Sequence, residues 1–363
     1  MAQRVIGVDV RDLKIAKTGA RIYLQELLRN WHADDQVRIV ELDNGLPVYT
    51  GNNKWLKAFE HLRFLFWKQL QLPMLARMRG CHFIFCSDFF VPLFPLGAKT
   101  IPVLHDAFFW EYPEHYNPIW LRLFHTVGVP AMHKAHLVVV PSEHTRKQVM
   151  CFTNIPAAKI VVVHEGARPF PEVKDAVRPF SAPYLFHLGV LEKRKNLPRL
   201  IAAFAELSDK HPDLLLVLAG GISNKTTLDD SPAIEAAIIQ HQLAGKVKLM
   251  GRVSDAQAAQ LFSHALAYVF PSYNEGFGLP VLEAFRFGIP VAVADNSALP
   301  EVGGDAVLSF DSFSTDAIQE SLSQLLENPP LRQSLVEKGK MRLQQFSWTK
   351  AAIEIVEHIG IKN

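Results

Sequence analysis

Two carboxylates eight positions apart, Glu275 and Glu283, bracket the run Glu-Gly-Phe-Gly-Leu-Pro-Val-Leu-Glu. Gly276 and Gly278 permit a tight turn, and Pro280 stands where a helix can begin without loss of a hydrogen bond. Upstream, Ala267–Phe270 reads as a buried strand that ends at Pro271. Strand, turn and helix start bring the N–H groups around Gly276, Phe277, Gly278 and Leu279 to one point with the helix dipole, an arrangement that holds phosphate. On a helix from Leu279, Val281, Leu282 and Phe285 share an apolar face and Glu283 projects away from it, while Glu275 lies on the turn. One carboxylate is then available above bound phosphates and the other beside them, as a sugar nucleotide requires. The same turn is also ordinary structure in doubly wound folds, and the dipole alone favours an acid in a first helical turn. Its surroundings decide between the two.

The second half supplies a companion group. Gly189 follows the strand Tyr184–Leu188, and Lys193, Arg194 and Lys195 precede a helix expected near Leu197. Cations are disfavoured at a helix N-terminus. A diphosphate removes the conflict, with Arg194 forking to its oxygens and Lys195 acting as a point charge, while Lys193 faces solvent. The plainer reading is a solvated basic turn.

In the first half, His105 and Asp106 end the strand Ile101–Leu104, where a histidine addresses a sugar hydroxyl or a carbonyl near the reacting centre. Phe108, Phe109, Trp110 and Tyr112 follow, to stack on a sugar ring or to pack as a hydrophobic lid. The run from Thr18 through Gly19 to Tyr23 opens a helix whose N–H groups approach phosphates, on the slight signal of one glycine. Asp34-Asp35 and Asp229-Asp230 read as capping or solvent residues. There is no Asp-x-Asp pair, and Arg, Lys and helix dipoles neutralise a diphosphate without a metal or other cofactor.

Positioning these groups takes an alternation of strands and helices. Strands are expected at Arg4–Val8, Val37–Leu42, His82–Cys86, Thr100–Leu104, Leu137–Val140 and Ile160–Val163. The second set is Tyr184–Leu188, Leu214–Ala219, Lys246–Met250, Ala267–Phe270, Pro290–Ala294 and Val307–Phe310. Helical patterns near 20–32, 54–79, 118–135 and 142–151 separate most of the first set. Short β-branched runs between helices predict an α/β chain of parallel sheets covered on both faces, two Rossmann-like doubly wound domains facing across a cleft. Small or polar residues directly follow several strands, Asp9, Gly189, Gly220 and Glu275 among them, at the end where open α/β sheets bind ligands. A stretch with Pro169, Pro171, Pro179 and Pro183 reads as a linker. The expected division is 1–168, a linker at 169–183, a second domain at 184–346 and a terminal helix at 347–363.

The 363 residues suit two domains of about 150–180 each. Apolar residues make 49% and charged ones 20%, enough for two cores, and a net charge of +2 points away from nucleic acid. Cys81, Cys86 and Cys151 lack the number and spacing of a disulfide framework or a zinc site. No signal segment opens the chain and no apolar run is long enough to span a bilayer, so a cytoplasmic location is expected. Residues 54–79 are basic and aromatic, with Trp55, Phe59, Phe64, Phe66 and Trp67 against the single acid Glu60. That pattern suits an ordinary helix on the sheet, kinked or ended by Pro73, with interfacial membrane contact as the minor alternative.

The residues resemble those of family 4 retaining glycosyltransferases of the GT-B fold. The resemblance is carried by Pro271-Ser272, Glu275 to Pro280, Glu283-Ala284, Gly288 to Val291 and Leu299-Pro-Glu301. Gly189 to Asn196, Pro141-Ser142 with Thr145, and Phe346-Ser-Trp348 add to it. It implies that Glu275 meets the donor sugar, Glu283 the nucleotide ribose, Arg194 and Lys195 the diphosphate, and His105 the reacting centre, with Gly19 and Asp106 on the acceptor side. It also implies that the helix from Trp348 to Ile359 returns to the first domain. Two departures stand out: Val190 follows Gly189 where relatives carry Arg, and Arg21 and Ile22 occupy the second Gly and the Arg positions of a Thr-Gly-x-Gly-Arg-Tyr turn. Overall the chain is similar to bacterial mannosyltransferases of surface-polysaccharide assembly. The expected partners are GDP-mannose or a UDP-hexose and a glycan or lipid-linked glycan, with peripheral contact at the inner membrane face. A sugar-nucleotide epimerase, a hydrolase or a non-catalytic nucleotide-sugar-binding protein are the alternatives.

Overall fold

A computed structural model describes residues 4–15, 19–34, 37–49, 51, 53–172, 177–223 and 227–361. Thr18, Asp35 and, within the expected linker, Val173, Lys174, Asp175 and Ala176 lie outside the described residues. The chain divides into two compact units, Met1–Gly166 with Ser347–Asn363, and Ala167–Phe346.

In the first unit, β1 (Val5–Asp9), β2 (Arg38–Leu42), β3 (Phe83–Cys86) and β4 (Lys99–Pro102) form a parallel sheet in the order β2-β1-β3-β4. A Val103–Val139 bridge joins it to the parallel pair β5 (Val138–Val140) and β6 (Ile160–Val162). Fully apolar stretches such as Phe83–Cys86 are buried on both faces, as parallel strands under helices must be. The terminal helix Trp348–His358 belongs to this unit and packs on the helix Gly19–His32. The Trp31 indole N–H donates to the Ala352 carbonyl at 3.0 Å, and the Tyr23 and Trp348 rings meet edge to face.

The helical pattern over 54–79 resolves into Lys54–Phe66, a π-turn at Trp67–Gln71 and Leu72–Met78. Pro73 does not end it but sits in the first turn of the second piece. Its ring would clash with the carbonyl four residues back, inside the π-turn, and the wider turn relieves that clash. The same device recurs at Phe124–Gly128, just before Pro130 in the helix Val129–Lys134.

The second unit is one six-stranded parallel sheet of β7 (Tyr184–Leu188), β8 (Leu215–Ala219), β9 (Val247–Gly251), β10 (Ala267–Phe270), β11 (Val291–Ala294) and β12 (Val307–Phe310). Its order, β12-β11-β10-β7-β8-β9, runs outward in both directions from the neighbouring pair β7 and β10. The chain leaving β7 and the chain leaving β10 therefore diverge to opposite sides, and the gap between them is the topological switch point of the sheet. A side chain at Gly220, after β8, is excluded: its Cβ would lie 1.7 Å from the Gly189 carbonyl oxygen. That close approach holds the loops after β7 and β8 together.

Candidate functional site

The second unit gathers its predicted residues at that switch point. Lys193–Lys195 form a single 3-10 turn after β7, Asn196 takes a left-handed conformation, and the helix Leu197–Lys210 begins beyond it. Asn196 fixes the turn by donating to the carbonyls of Pro271 and Ser312. Lys193 faces solvent while Lys195 is 5% exposed. Both inner cations reach across to the loop after β10: Arg194 Nη1 lies 2.7 Å and Lys195 Nζ 2.6 Å from one oxygen, Oε1 of Glu275. Arg194 also pairs with Glu192 at 3.1 Å, and the Lys195 ammonium stands 4.6 Å from the Phe270 ring centroid.

The electrostatics follow from enclosure. Burial pushes the Glu275 carboxyl up, but Arg194 and Lys195 outweigh it and hold the group down to about 2. Burial, with Arg194 beside it, pushes Lys195 down to about 8 despite Glu275. The pair is therefore ionised at neutral pH, with Lys195 close to losing its proton. The chain turns at Gly278, whose φ of +107° suits glycine, and the helix Leu279–Arg286 starts with Pro280 in its first turn. Phe277 is buried edge-on against Phe346 and pins the turn from beneath.

Glu283 departs from expectation. The helix Leu279–Arg286 buries every residue from Val281 to Phe285, so the carboxylate does not turn to open solvent. It is 3% exposed and paired with Arg168, whose Nη2 donates to Oε2 at 3.2 Å while Nε lies 2.9 Å from Oε1 as an ion pair without a hydrogen bond. Arg168 also reaches Asp255 at 3.0 Å and stacks over the Phe170 ring at 4.2 Å. Burial raises the Glu283 carboxyl against the pull of Arg168. Arg168 stands at the end of the expected first domain, just before the proline-rich linker, yet it belongs to the second unit, and its distance from Glu283 in sequence kept it from notice.

His187, inside β7, was also missed. It is fully buried, with Nδ1 at 2.9 Å from the Val269 carbonyl and Nε2 without a hydrogen-bond partner. Burial and the nearby Lys195 push it down to about 3, so it is neutral. With Nδ1–H donating, Nε2 presents a lone pair toward Gly189, where an added Cβ would come within 3.2 Å of it and 3.3 Å of Lys195 Cε. Gly189 is thus the open space above both side chains.

In the first unit, His105 is held at both nitrogens: Nδ1 lies 3.3 Å from Glu165 Oε1 and Nε2 lies 3.1 Å from the Ser87 carbonyl. Both partners are acceptors, so the arrangement favours the imidazolium; burial opposes it, yet Glu165 and Ser87 leave the group raised above its ordinary value. The Tyr23 ring abuts His105 at 4.8 Å. Asp106 accepts from the Phe108 N–H at 3.2 Å, and Gly19 opens its helix. Phe109 and Trp110 of the aromatic loop pack on Phe124, and Trp110 stacks on Phe152, which is the hydrophobic-packing alternative. Asp229 accepts from the backbone N–H and the hydroxyl of Ser231, the first residue of the helix Ser231–Gln240, whose N-cap Asp230 makes no side-chain cap hydrogen bond.

A third cluster was signalled in the sequence by Asp9 alone. At the carboxyl ends of β1 and β3, Lys68 is 1% exposed and lies 2.7 Å from both Asp9 and Asp88. Trp67 donates to Asp9, Ser87 to Asp12, and Arg11 pairs with Glu60. This is the switch point of the first sheet, between β1 and β3.

Comparison with known proteins bears on the family and the fold. Residues 172–342 match the family model of glycosyl transferases group 1, and residues 17–169 match that of glycosyltransferase family 4. The chain is 26% identical to O-antigen chain mannosyltransferase B of Escherichia coli, across 95% of this chain and 96% of that one. Among solved structures, sucrose-phosphate synthase from Thermosynechococcus elongatus superposes with a TM-score of 0.76 at 19% identity over 98% of both chains. Anabaena HepE in complex with UDP and glucose gives 0.71 at 16% identity over 98% of this chain and 99% of that one. At these identities the structural likeness carries the fold.

Proposed function

Because the chain belongs to the family 4 glycosyltransferases of the GT-B fold, we propose that it moves a hexose from a nucleotide diphosphate sugar to a glycan acceptor with retention of anomeric configuration. The observation that carries the proposal is the convergence of Arg194, Lys195 and Glu275 at the switch point between β7 and β10. Two cations there meet the diphosphate, and the amides of the turn from Gly276 to Leu279 add to them. Glu275, left on the sugar side, favours positive charge developing on the hexose ring. Glu283 binds the ribose and Gly189 leaves room for the phosphates.

In the reaction proposed, the acceptor hydroxyl attacks the anomeric carbon from the face that the diphosphate leaves. The carbon–oxygen bond to phosphate breaks as the new glycosidic bond forms, and the hydroxyl proton passes to the departing phosphate oxygen. Arg194 and Lys195 supply the charge that a divalent metal would otherwise bring, so the transfer proceeds in EDTA. His105, Asp106 and Gly19 serve the acceptor side. Mannose from GDP-mannose is the first donor, by likeness to the O-antigen chain mannosyltransferase, with UDP-hexoses the second. The acceptor is a lipid-linked glycan, met on the cytoplasmic side of the inner membrane, where the protein sits peripherally.

Thermal shift against a panel of nucleotide sugars tests the donor. A ligand at about 100 times its dissociation constant adds about 2.7 kcal/mol of stability. GDP-mannose should give the largest rise; no rise with any nucleotide sugar would sink the reading.

A further inference from the structure

The helical stretch 54–78 has two apolar sides, and packing accounts for one. Inward, Trp67, Leu72 and Ala76 are buried in the core of the first unit. Outward, Trp55, Phe59, Leu62, Phe66, Leu70 and Met74 recur every three or four residues, and each is more than half exposed, Trp55 at 86%. Steps of four drift around an α-helix. The π-turn at Trp67–Gln71 takes up an extra residue, which keeps Leu70 in line with Phe66. The stripe runs about 30 Å along the helix axis. A soluble surface seldom carries a contiguous apolar face of this length without a partner.

The surroundings identify the partner. Arg77 is exposed one turn beyond Met74 on the side of the stripe, and Lys57 and Arg79 are exposed at the two ends of the segment. The one acid of the segment, Glu60, is buried between Arg11 and Arg63, so no acidic side chain is exposed among the described residues of 55–80. Arg77 donates to the carbonyl of Leu96, which ties in the loop where Phe94 is 68% exposed with the Lys134 ammonium 4.8 Å from its ring. Aromatic and aliphatic side chains rimmed by cations, with no anion, match a bilayer bearing anionic lipids: the apolar groups enter the acyl boundary and the cations meet the headgroups. A second copy fits less well. A two-fold contact would set the same cations of each chain against each other with no exposed acid to pair them. No described helix is long and apolar enough to cross a membrane, so the segment lies on the surface.

We propose that the face formed by residues 55–78 and the loop around Phe94 is a membrane-docking surface for anionic lipid. This assignment stands on the first unit alone and does not depend on the donor site. The test is sedimentation of the full chain with vesicles of neutral lipid, and with vesicles containing about 30% anionic lipid. Binding should be tight with anionic vesicles, weaker with neutral ones, and reduced by salt. Changing Phe59, Leu62 and Phe66 together to Ser should lower partitioning about 100-fold or more. The melting temperature and nucleotide-sugar binding should be retained. Trp55 emission should shift blue on binding, and Trp55→Phe should remove that shift. Absence of vesicle binding by the wild-type chain, whether monomeric or dimerised through this face, overturns the proposal. So does equal partitioning of the folded triple variant.

Discussion

Replacing Glu275 by Gln should move a proton at Lys195. The two cations Arg194 and Lys195 share one oxygen of Glu275 at 2.7 and 2.6 Å. Burial already holds Lys195 down to about 8, and Glu275 is among the groups that keep it from falling further. Without that carboxylate, Lys195 discharges at lower pH. Below that lowered value both cations remain charged and the repelling carboxylate is gone, so there the variant should bind a bare nucleoside diphosphate at least as tightly as wild type. As pH rises, one charge-assisted hydrogen bond of about 1.5–3 kcal/mol is lost, which is roughly tenfold to 150-fold in affinity. Calorimetry from pH 6 to 9 reads this as a break near 8 in wild type and a break at lower pH in the variant. Lys195→Met corrects for the ligand: it should bind weakly and show only the titration of the phosphate itself. Superimposable wild-type and Glu275→Gln profiles would refute the coupling. A break near 8 that survives in Lys195→Met would refute its assignment.

Arg168→Gln leaves Glu283 buried without its ionic partner and should cost about 3–5 kcal/mol of stability. Burial already raises the Glu283 carboxyl, and a folded value above the unfolded one favours folding in acid. The deficit is therefore largest at high pH and shrinks as pH falls through the raised value, which thermal melts from pH 8.5 to 5 check. Glu165→Gln should lower the titration of His105 seen by NMR. Because His105 is raised when folded, its contribution is full below its unfolded value and lost as pH rises, so the variant should lose about 1–3 kcal/mol at pH 5.5 and less at pH 8.5. Gly220→Ala places a Cβ 1.7 Å from the Gly189 oxygen. It should cost about 3 kcal/mol by denaturant melts and loosen the loop that carries Arg194 and Lys195.

What could be read from the sequence was local. Each strand among the described residues lies within a residue or two of its predicted place, because β-branched runs end abruptly at glycine, proline or aspartate. The turn at Gly278 and the start at Leu197 were legible for the same reason. Pairings across long separations were not. Arg168 meets Glu283 from 115 residues away and Glu165 meets His105 from 60, and nothing near either residue marks it. Lys68 stood in a basic, aromatic stretch expected to pack on the sheet, but nothing marked it as the residue sealed beneath two aspartates, since the opposite side of its helix is the one facing water. His187 sat inside an expected strand with nothing to single it out; its open nitrogen follows only from the positions of Val269 and Gly189.

The central claim is that Arg194, Lys195 and Glu275 serve hexosyl transfer from a nucleotide sugar. It is tested most directly by incubating the chain with labelled GDP-mannose and a polyprenol-linked glycan in EDTA, and by reading the product by NMR. Label should enter the glycan through a linkage of the donor's own anomeric configuration, and a folded Lys195→Met variant should transfer at less than about a hundredth of the wild-type rate. Label recovered as free sugar or as an epimer with acceptor present, or transfer undiminished in Lys195→Met, would contradict the account.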